Sequence, residues 1–319
     1  MERRCIENSQ FNLQEIIGDA PAIPAAVLMF FIDHFNLAMT SKKSCKAVQK
    51  ILTIYFPRQY KMTCVLNAAG GLIIKLSDAS SRVQFGTIFY FHAQFISTLV
   101  KVFKISSCTQ LNLYDRFANN KTIIDALKDA GCEISNVAMC EQSYEKTNPE
   151  TILNVFRNIP GVSIQKLNYR QVIPKPETRP FNFKNLDIRY GKWISIKHLT
   201  ETFIDCQRLH LEESVLSNAE MKSFLKRWIE GSKMRFLCIE YSQFNLKQII
   251  GENSFPKHFS ATDLVGRVEI KNGAGISNTH RMTEGQCYII KQKKRGPSAV
   301  VYQSDAKLFL STEFKRLRY

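Results

Sequence analysis

Side chains that could do acid–base chemistry are few and scattered along this chain. Among its six histidines, His198 lies one helical turn before Glu201, and His210 precedes Glu212 on a strand-like run. A general acid or base needs a reacting group within hydrogen-bond reach, and no nucleophile lies near His210 in the sequence. We interpret His198 and Glu201 as a surface contact, and we predict a protein without catalytic residues that is not an enzyme.

The nine cysteines do not indicate a metal site or a disulfide framework. No two have C-x-x-C spacing, and the histidines do not cluster with them, so the sequence predicts no metal site and no cofactor. An odd number of thiols without a signal peptide indicates reduced cysteines in an intracellular protein of the cytoplasm or nucleus. The phosphate-binding, dinucleotide-binding and hydrolase motifs that we sought do not occur either.

Charge is the strongest compositional signal, with 44 basic and 28 acidic residues and a formal net charge of +16. Such a charge favours acidic partners or nucleic acid. The basic residues do not alternate with stacking aromatics on one predicted surface, so nucleic-acid binding is the weaker alternative. The most apolar stretch, 20–32, is broken by Pro21 and Pro24 and is shorter than the roughly 18 residues of a membrane span. We therefore expect a soluble protein without a membrane partner.

Short strands and amphipathic helices alternate from Leu111 onward. Apolar and polar residues alternate within most of the strand-like runs, which predicts one buried and one exposed face. These runs are Leu111–Tyr114, Asn136–Met139, Leu167–Tyr169, Leu186–Arg189, Leu209–Glu212, Leu237–Glu240 and Val268–Ile270. Helices between strands imply parallel strands with crossover connections. The sequence predicts an α/β fold, a leucine-rich-repeat-like strand/helix array that ends in a C-terminal β-hairpin.

Local signals define several of these elements. Ser217 and Glu220 form a capping box ahead of a helix that stops at Gly231, and Thr147–Glu150 offers a second capping box. A third helix is predicted over Lys121–Ala130. Two hairpins are predicted, one joining 60–66 to 72–76 and one joining 287–291 to 299–303.

One segment occurs twice. CIENSQFNLQEIIG at 5–18 and CIEYSQFNLKQIIG at 238–251 agree at eleven of fourteen positions. A solenoid unit would also recur between these copies, and nothing similar lies there. We interpret residues 1–19 as a displaced fragment resembling residues 234–252, and a true fusion and an error in the gene model both remain open.

Three stretches of the second half carry a resemblance to a known family. WISIKHL at 193–199, RLHLEES at 208–214 and EMKSFLKRWIEG at 220–231 resemble the F-box-associated domain type 2 of nematode F-box proteins. We extend this resemblance over residues 60–319. In that family the domain holds the substrate, so the resemblance implies that 60–319 is a recognition domain for a protein target.

Residues 20–56 resemble an incomplete F-box, a short helical segment. In that family the F-box binds the Skp-type adaptor of a cullin-based (SCF) ubiquitin ligase. The resemblance implies six apolar anchors that face the adaptor: Pro24, Val27, Leu28, Phe35, Leu37 and Met39. The interval between Pro24 and Ser41 is shorter than we expect of the family by more than one helical turn. The alternative that this protein is a degenerate family member that no longer docks the Skp-type adaptor therefore remains open.

The exposed strand face is the candidate substrate-binding surface, because solenoids display alternate polar side chains on a rigid sheet. The candidates are Asn112, Tyr114, Asn168, Arg170, Asp187, Arg189, His210, Glu212 and Glu240. The alternative is that a helix or loop covers this face. We expect a substrate-recognition subunit of the SCF ligase, and the alternatives are an adaptor-independent interaction protein and a basic nucleic-acid-binding protein.

Overall fold

A computed structural model of the 319-residue chain gives its fold. It describes residues 43–44, 46–47, 50, 61–66, 71–77, 82–89, 93–102, 104–113, 117–139, 149–165, 179–240, 244–250, 261–271, 276–293 and 295–317. The chain divides into two compact units, Met1–Val137 and Ala138–Tyr319. The predicted boundaries after residues 19 and 56 lie outside the described residues and stay predictions.

The first unit combines an antiparallel ribbon with a parallel strand pair. Its elements are β1 (Lys61–Leu66), β2 (Gly71–Ser77), β3 (Arg82–Phe89), α1 (Ala93–Val102), β4 (Ser107–Leu113), α2 (Phe117–Asp129) and β5 (Glu133–Ile134). Strands β1, β2 and β3 are antiparallel neighbours, which confirms the first predicted hairpin, and β4 runs parallel to β1 after the crossover through α1. Helix α2 buries Ile123, Ile124 and Leu127 as predicted but begins earlier, at Phe117.

The second unit holds most of the strands. Strand β6 (Asn136–Met139) lies at the boundary between the units. The elements that follow are α3 (Pro149–Val155), β7 (Gly161–Ile164), β8 (Asn185–Ile188), a 3-10 turn (Gly191–Trp193), a π-helical turn (His198–Thr202), β9 (Arg208–Leu211), α4 (Asn218–Glu230), β10 (Phe236–Glu240), α5 (Leu246–Ile250), β11 (Thr262–Asp263), β12 (Gly266–Lys271), β13 (Ser277–Met282), β14 (Cys287–Lys291), β15 (Ser298–Ser304), β16 (Lys307–Ser311) and β17 (Phe314–Arg316).

Strands β7, β8, β9 and β10 form a parallel array in chain order. On the far side of β10 the sheet continues antiparallel through β16, β15, β14 and β11, so the predicted hairpin of β14 and β15 is confirmed. The mixed α/β class is confirmed as well. The leucine-rich-repeat-like character stays an interpretation, because short 3-10 and π-helical turns link β8 to β9 whereas the longer helix α4 links β9 to β10.

One face of the parallel array is apolar and forms part of the core. Alternate residues of a strand point to the same face, so the buried residues occur at every second position. Leu186, Ile188, Leu209 and Leu211 are all buried there. Helix α4 buries a helical stripe of its own, formed by Met221, Phe224, Leu225, Trp228 and Ile229. The predicted capping box of this helix is confirmed, with Ser217 accepting from the backbone N–H of Glu220.

A small second sheet covers part of the opposite face. Strand β12 lies between β13 and β17, and its Val268 and Ile270 pack in one cluster with Cys287 of β14 and Tyr302 of β15. Phe309 of β16 stacks on Tyr302 with ring centroids 4.7 Å apart and joins the same cluster. Apolar burial therefore occupies this face at β14–β16, while at β8–β10 the same face carries polar side chains.

No helix in the described ranges is long and apolar enough to cross a membrane.

Candidate functional site

The predicted binding residues that the structure describes in the second unit come together on the polar face of β8, β9 and β10; they are Asp187, Arg189, His210, Glu212 and Glu240. Asp187 is the register partner of His210, and His210 is the register partner of Cys238, so their side chains share one face. Glu240 lies two residues after Cys238 and therefore also points to that face. Arg189 and Glu212 immediately follow their strands.

His210 is the centre of a continuous row of polar contacts. Its Nδ1 lies 3.2 Å from Oδ1 of Asp187, and its Nε2 lies 3.0 Å from Oε1 of Glu240. Lys307 of β16 pairs with the same Glu240 oxygen, and the Ser163 hydroxyl of β7 donates to Oδ2 of Asp187 at 3.2 Å. We call Ser163, Asp187, His210, Glu240 and Lys307 the polar row; it crosses five neighbouring strands.

The surroundings of His210 favour its charged form. Burial lowers the pKa of this imidazole, but hydrogen bonds to Asp187 and the Cys238 thiol, together with the nearby negative charges, raise its pKa to about 11. For Glu240, burial raises the pKa, and hydrogen bonds from Lys307 and His210 outweigh it and lower the pKa below its ordinary value. The polar row therefore alternates carboxylates with cations at neutral pH.

Further ion pairs flank the polar row. Arg189 Nε lies 3.9 Å from Oε1 of Glu212, and Arg208 Nη2 lies 3.2 Å from Oε1 of Glu313. These side chains are partly exposed, with 46% of the Arg189 side chain accessible, so each pair contributes little to stability. Their charged groups face solvent and can exchange partners with an incoming polar surface.

The interpretation of His198 and Glu201 as a surface contact is wrong. His198 is fully buried, whereas Glu201 is exposed, because the chain here forms a π-helical turn that directs the imidazole inward. The Ser195 backbone N–H donates to His198 Nδ1 at 3.0 Å, and Nε2 lies 3.5 Å from Oε1 of Glu150 in helix α3. Burial lowers the His198 pKa to about 4, so the imidazole is neutral at physiological pH.

Of the other predicted residues, the structure describes Asn112 alone. Asn112 belongs to the first unit, where it is half-buried in β4 and its Oδ1 accepts from Gln110 Nε2 at 2.7 Å. Tyr114, Asn168 and Arg170 lie outside the described residues. So do all of the predicted adaptor anchors: Pro24, Val27, Leu28, Phe35, Leu37 and Met39.

Sequence reasoning missed Ser163, Cys238 and Lys307. Cys238 precedes Glu240 by two positions in a run already predicted as a strand, so its position on the polar face followed from the alternation. Lys307 begins the run Lys307–Ser311, whose three consecutive apolar residues could have been identified as a strand. Its pairing with β10 could not have been predicted, because Lys307 and Glu240 lie 67 positions apart and antiparallel pairing over that interval leaves no local sequence pattern.

Several side chains of this face could ligate a metal. Donor atoms of His210, Cys238 and Glu240 lie within 4.8 Å of one another, and those of Asp187, His210 and Glu212 form a second such group. The first group offers one nitrogen, one sulfur and one oxygen, a donor set that suits zinc and other transition metals.

The strands of this face lie within a segment that resembles a known family. Residues 177–251, which include β8, β9, α4 and β10, match the family model described as F-box associated. A 176-residue alignment relates the chain at 23% identity to the Skn-1 dependent zygotic transcript 15 protein of Caenorhabditis elegans, and covers 53% of this chain and 47% of the relative. The chain thus spans about half the length of this curated relative. Over residues 177–251, this protein is similar to F-box associated domains.

Proposed function

We propose that this protein is the substrate-recognition subunit of a cullin-type SCF ubiquitin ligase, and that the polar face of β8–β10 contacts its protein target. The observation that carries the proposal is the match of residues 177–251 to an F-box associated domain. That segment supplies Asp187, Arg189, His210, Glu212 and Glu240, the residues that converge on one face.

The geometry of the face suits protein recognition. Hydrogen bonds and ion pairs fix the polar row in a single arrangement, so little side-chain entropy is lost when a partner binds. Both signs of charge are present within a few ångströms, which favours a partner that presents a matching pattern of charges and disfavours others. Specificity would come from this alternation of charge.

The role in ubiquitin transfer is tethering. A receptor raises the effective concentration of its target near the ubiquitin-carrying subunits and makes or breaks no covalent bond itself. In this proposal residues 20–56 dock the Skp-type adaptor through Leu28, Leu37 and the neighbouring anchors. If the shortened segment does not dock, the recognition face remains and the protein is an adaptor-independent interaction protein.

A charge-reversal pair tests the recognition face. The variant Arg189→Glu with Glu212→Arg changes two charges on the face and leaves the net charge unchanged. The matched control is Lys271→Glu with Glu284→Lys, two exposed residues away from β8–β10. Wild type and both variants are used to capture proteins from nematode cells, and the ubiquitin-dependent turnover of each captured protein is then measured.

We expect at least one captured protein that binds the wild type and the control variant but not the face variant. Its ubiquitin-dependent turnover should show the same pattern. Targets that bind the face variant as well as the wild type would contradict the proposed surface. If capture depends on RNA or DNA and falls steeply as salt rises, the protein is instead a nucleic-acid binder.

A further inference from the structure

Two adjacent strands place three metal-ligating side chains side by side. Cys238 and Glu240 alternate on β10, and His210 is the register partner of Cys238 on β9. Two ligands at alternate positions of one strand and a third on its neighbour point to a common spot above the sheet. We propose that His210, Cys238 and Glu240 form a binding site for zinc or a chemically similar divalent transition metal.

The distances suit such an ion. Donor atoms of the three residues lie within 4.8 Å of one another, and Nε2 of His210 is 3.0 Å from Oε1 of Glu240. Nitrogen, oxygen and sulfur ligands at about 2.0 to 2.3 Å from a tetrahedral zinc lie about 3.3 to 3.5 Å apart, so each pair of donors must approach by at most about 1.5 Å to share one ion. The nitrogen, sulfur and oxygen set favours transition metals over calcium or magnesium, which prefer oxygen alone.

A second carboxylate supports His210 as a ligand. Asp187 Oδ1 lies 3.2 Å from Nδ1, whereas Glu240 lies beside the other ring nitrogen, Nε2. Metal-bound histidines generally donate their other ring N–H to a carboxylate or carbonyl, which fixes the tautomer and orients the ring. Ser163 in turn donates to the other oxygen of Asp187, so the supporting carboxylate is itself held in place.

The three ligand side chains differ in their exposure to solvent. Cys238 is 5% exposed and the Glu240 side chain 12% exposed, whereas 31% of the His210 side chain is accessible. An ion can thus enter from the polar face. Three protein ligands leave a fourth position for water or for a donor atom of a bound partner.

Other charged groups around the site set the conditions for binding. Metal binding must displace the Cys238 thiol proton and the proton that His210 shares with Glu240. Asp187 and Glu212 add negative charge beside His210, and Lys307 opposes the ion because its ammonium group contacts the Glu240 oxygen. The Lys307 side chain is 39% exposed and has solvent into which it can turn. This site does not depend on the proposed ligase role.

Cobalt is the probe, because thiolate ligation of Co²⁺ gives a charge-transfer band in the near ultraviolet. The full-length protein is reduced, stripped with a chelator and titrated with Co²⁺, and the cobalt is then displaced with Zn²⁺. We expect a thiolate band that saturates near one equivalent in the wild type and is lost in Cys238→Ser. In Asp187→Asn we expect binding about 10- to 100-fold weaker.

A variant that keeps all three donors protects the test from folding artefacts. Lys307→Met removes the opposing cation, and we expect it to tighten Co²⁺ binding by about tenfold. Zn²⁺ should also protect Cys238 from alkylation by a thiol reagent and leave the rates at Cys206 and Cys287 unchanged. Absence of a thiolate band in the wild type, an unchanged band in Cys238→Ser, or weaker binding in Lys307→Met would each overturn the proposed site.

Discussion

The buried imidazole of His198 makes the stability of the second unit depend on pH. Its ring lies 5.4 Å from that of Trp193 in an edge-to-face contact and 6.2 Å from that of Phe203, with its Nδ1 facing Ser195. Protonation would place a charge among these apolar rings. It would also replace the acceptor at Nδ1 with a donor that faces the Ser195 N–H.

The magnitude follows from the shift of the His198 pKa. Burial lowers this pKa to about 4, while the unfolded chain keeps the ordinary value of about 6.5. The unfolded state therefore binds more protons between these values, and the free energy of unfolding falls as the pH drops below about 6.5. By pH 5 the loss is about 2 kcal/mol, and it levels off at about 3 kcal/mol below pH 4.

Urea unfolding followed by tryptophan fluorescence measures this loss. Both tryptophans of the chain, Trp193 and Trp228, lie within Ala138–Tyr319 and are buried, so the signal reports on that unit. The comparison variant is His198→Asn, whose side-chain oxygen can still accept from the Ser195 N–H but does not titrate. We expect the wild type to lose about 2 kcal/mol more than the variant between pH 7 and pH 5.

Equal losses in the wild type and His198→Asn would refute this reasoning. They would mean that other groups cause the acid sensitivity, or that His198 is hydrated and titrates normally. A wild type that gained stability relative to the variant on acidification would reverse the sign, and would mean that the nearby Glu150 carboxylate outweighs burial.

Three further substitutions, one of them with a matched control, test the N-cap, the buried contact and the C-terminal end of α4. Ser217→Ala should cost about 1 kcal/mol through loss of the helix cap, whereas Ser223→Ala on the exposed side of the same helix should change the free energy of urea unfolding much less. Trp228→Phe should lower the free energy of unfolding, followed by circular dichroism, by about 2 to 3 kcal/mol, because the fully buried indole N–H donates to the Met234 carbonyl at 3.0 Å. Gly231→Ala should lower the melting temperature through backbone strain alone, since φ is 139° and a Cβ there meets no atom within 4 Å.

Elements with strong local signals could be predicted from the sequence. The run Asn136–Met139 matches β6 residue for residue, and the capping box at Ser217 with the stop at Gly231 defined α4 correctly. Alternation of apolar and polar residues placed Asp187, His210 and Glu240 on one polar face. Each of these inferences depends on residues within a few positions of one another.

The parts that sequence reasoning missed depend on contacts distant along the chain. Spacing suggested Glu201 as the partner of His198, but a π-helical turn and α3 bring Glu150 to it instead. In the same way, Cys238 lies 28 positions from His210 and only the parallel register joins them. A search for closely spaced cysteines and histidines therefore cannot detect this donor group.

Co-purification with a Skp-type adaptor tests the proposed ligase role most directly. The chain is expressed with the adaptor as wild type, as Leu28→Ala with Leu37→Ala, and as the control Val215→Ala with Ile276→Ala, two residues with more than half of their surface exposed. We predict a stoichiometric complex for the wild type and the control that is lost in the anchor variant. A folded wild-type chain that forms no complex, or a complex that survives in the anchor variant, would contradict docking through the F-box-like segment.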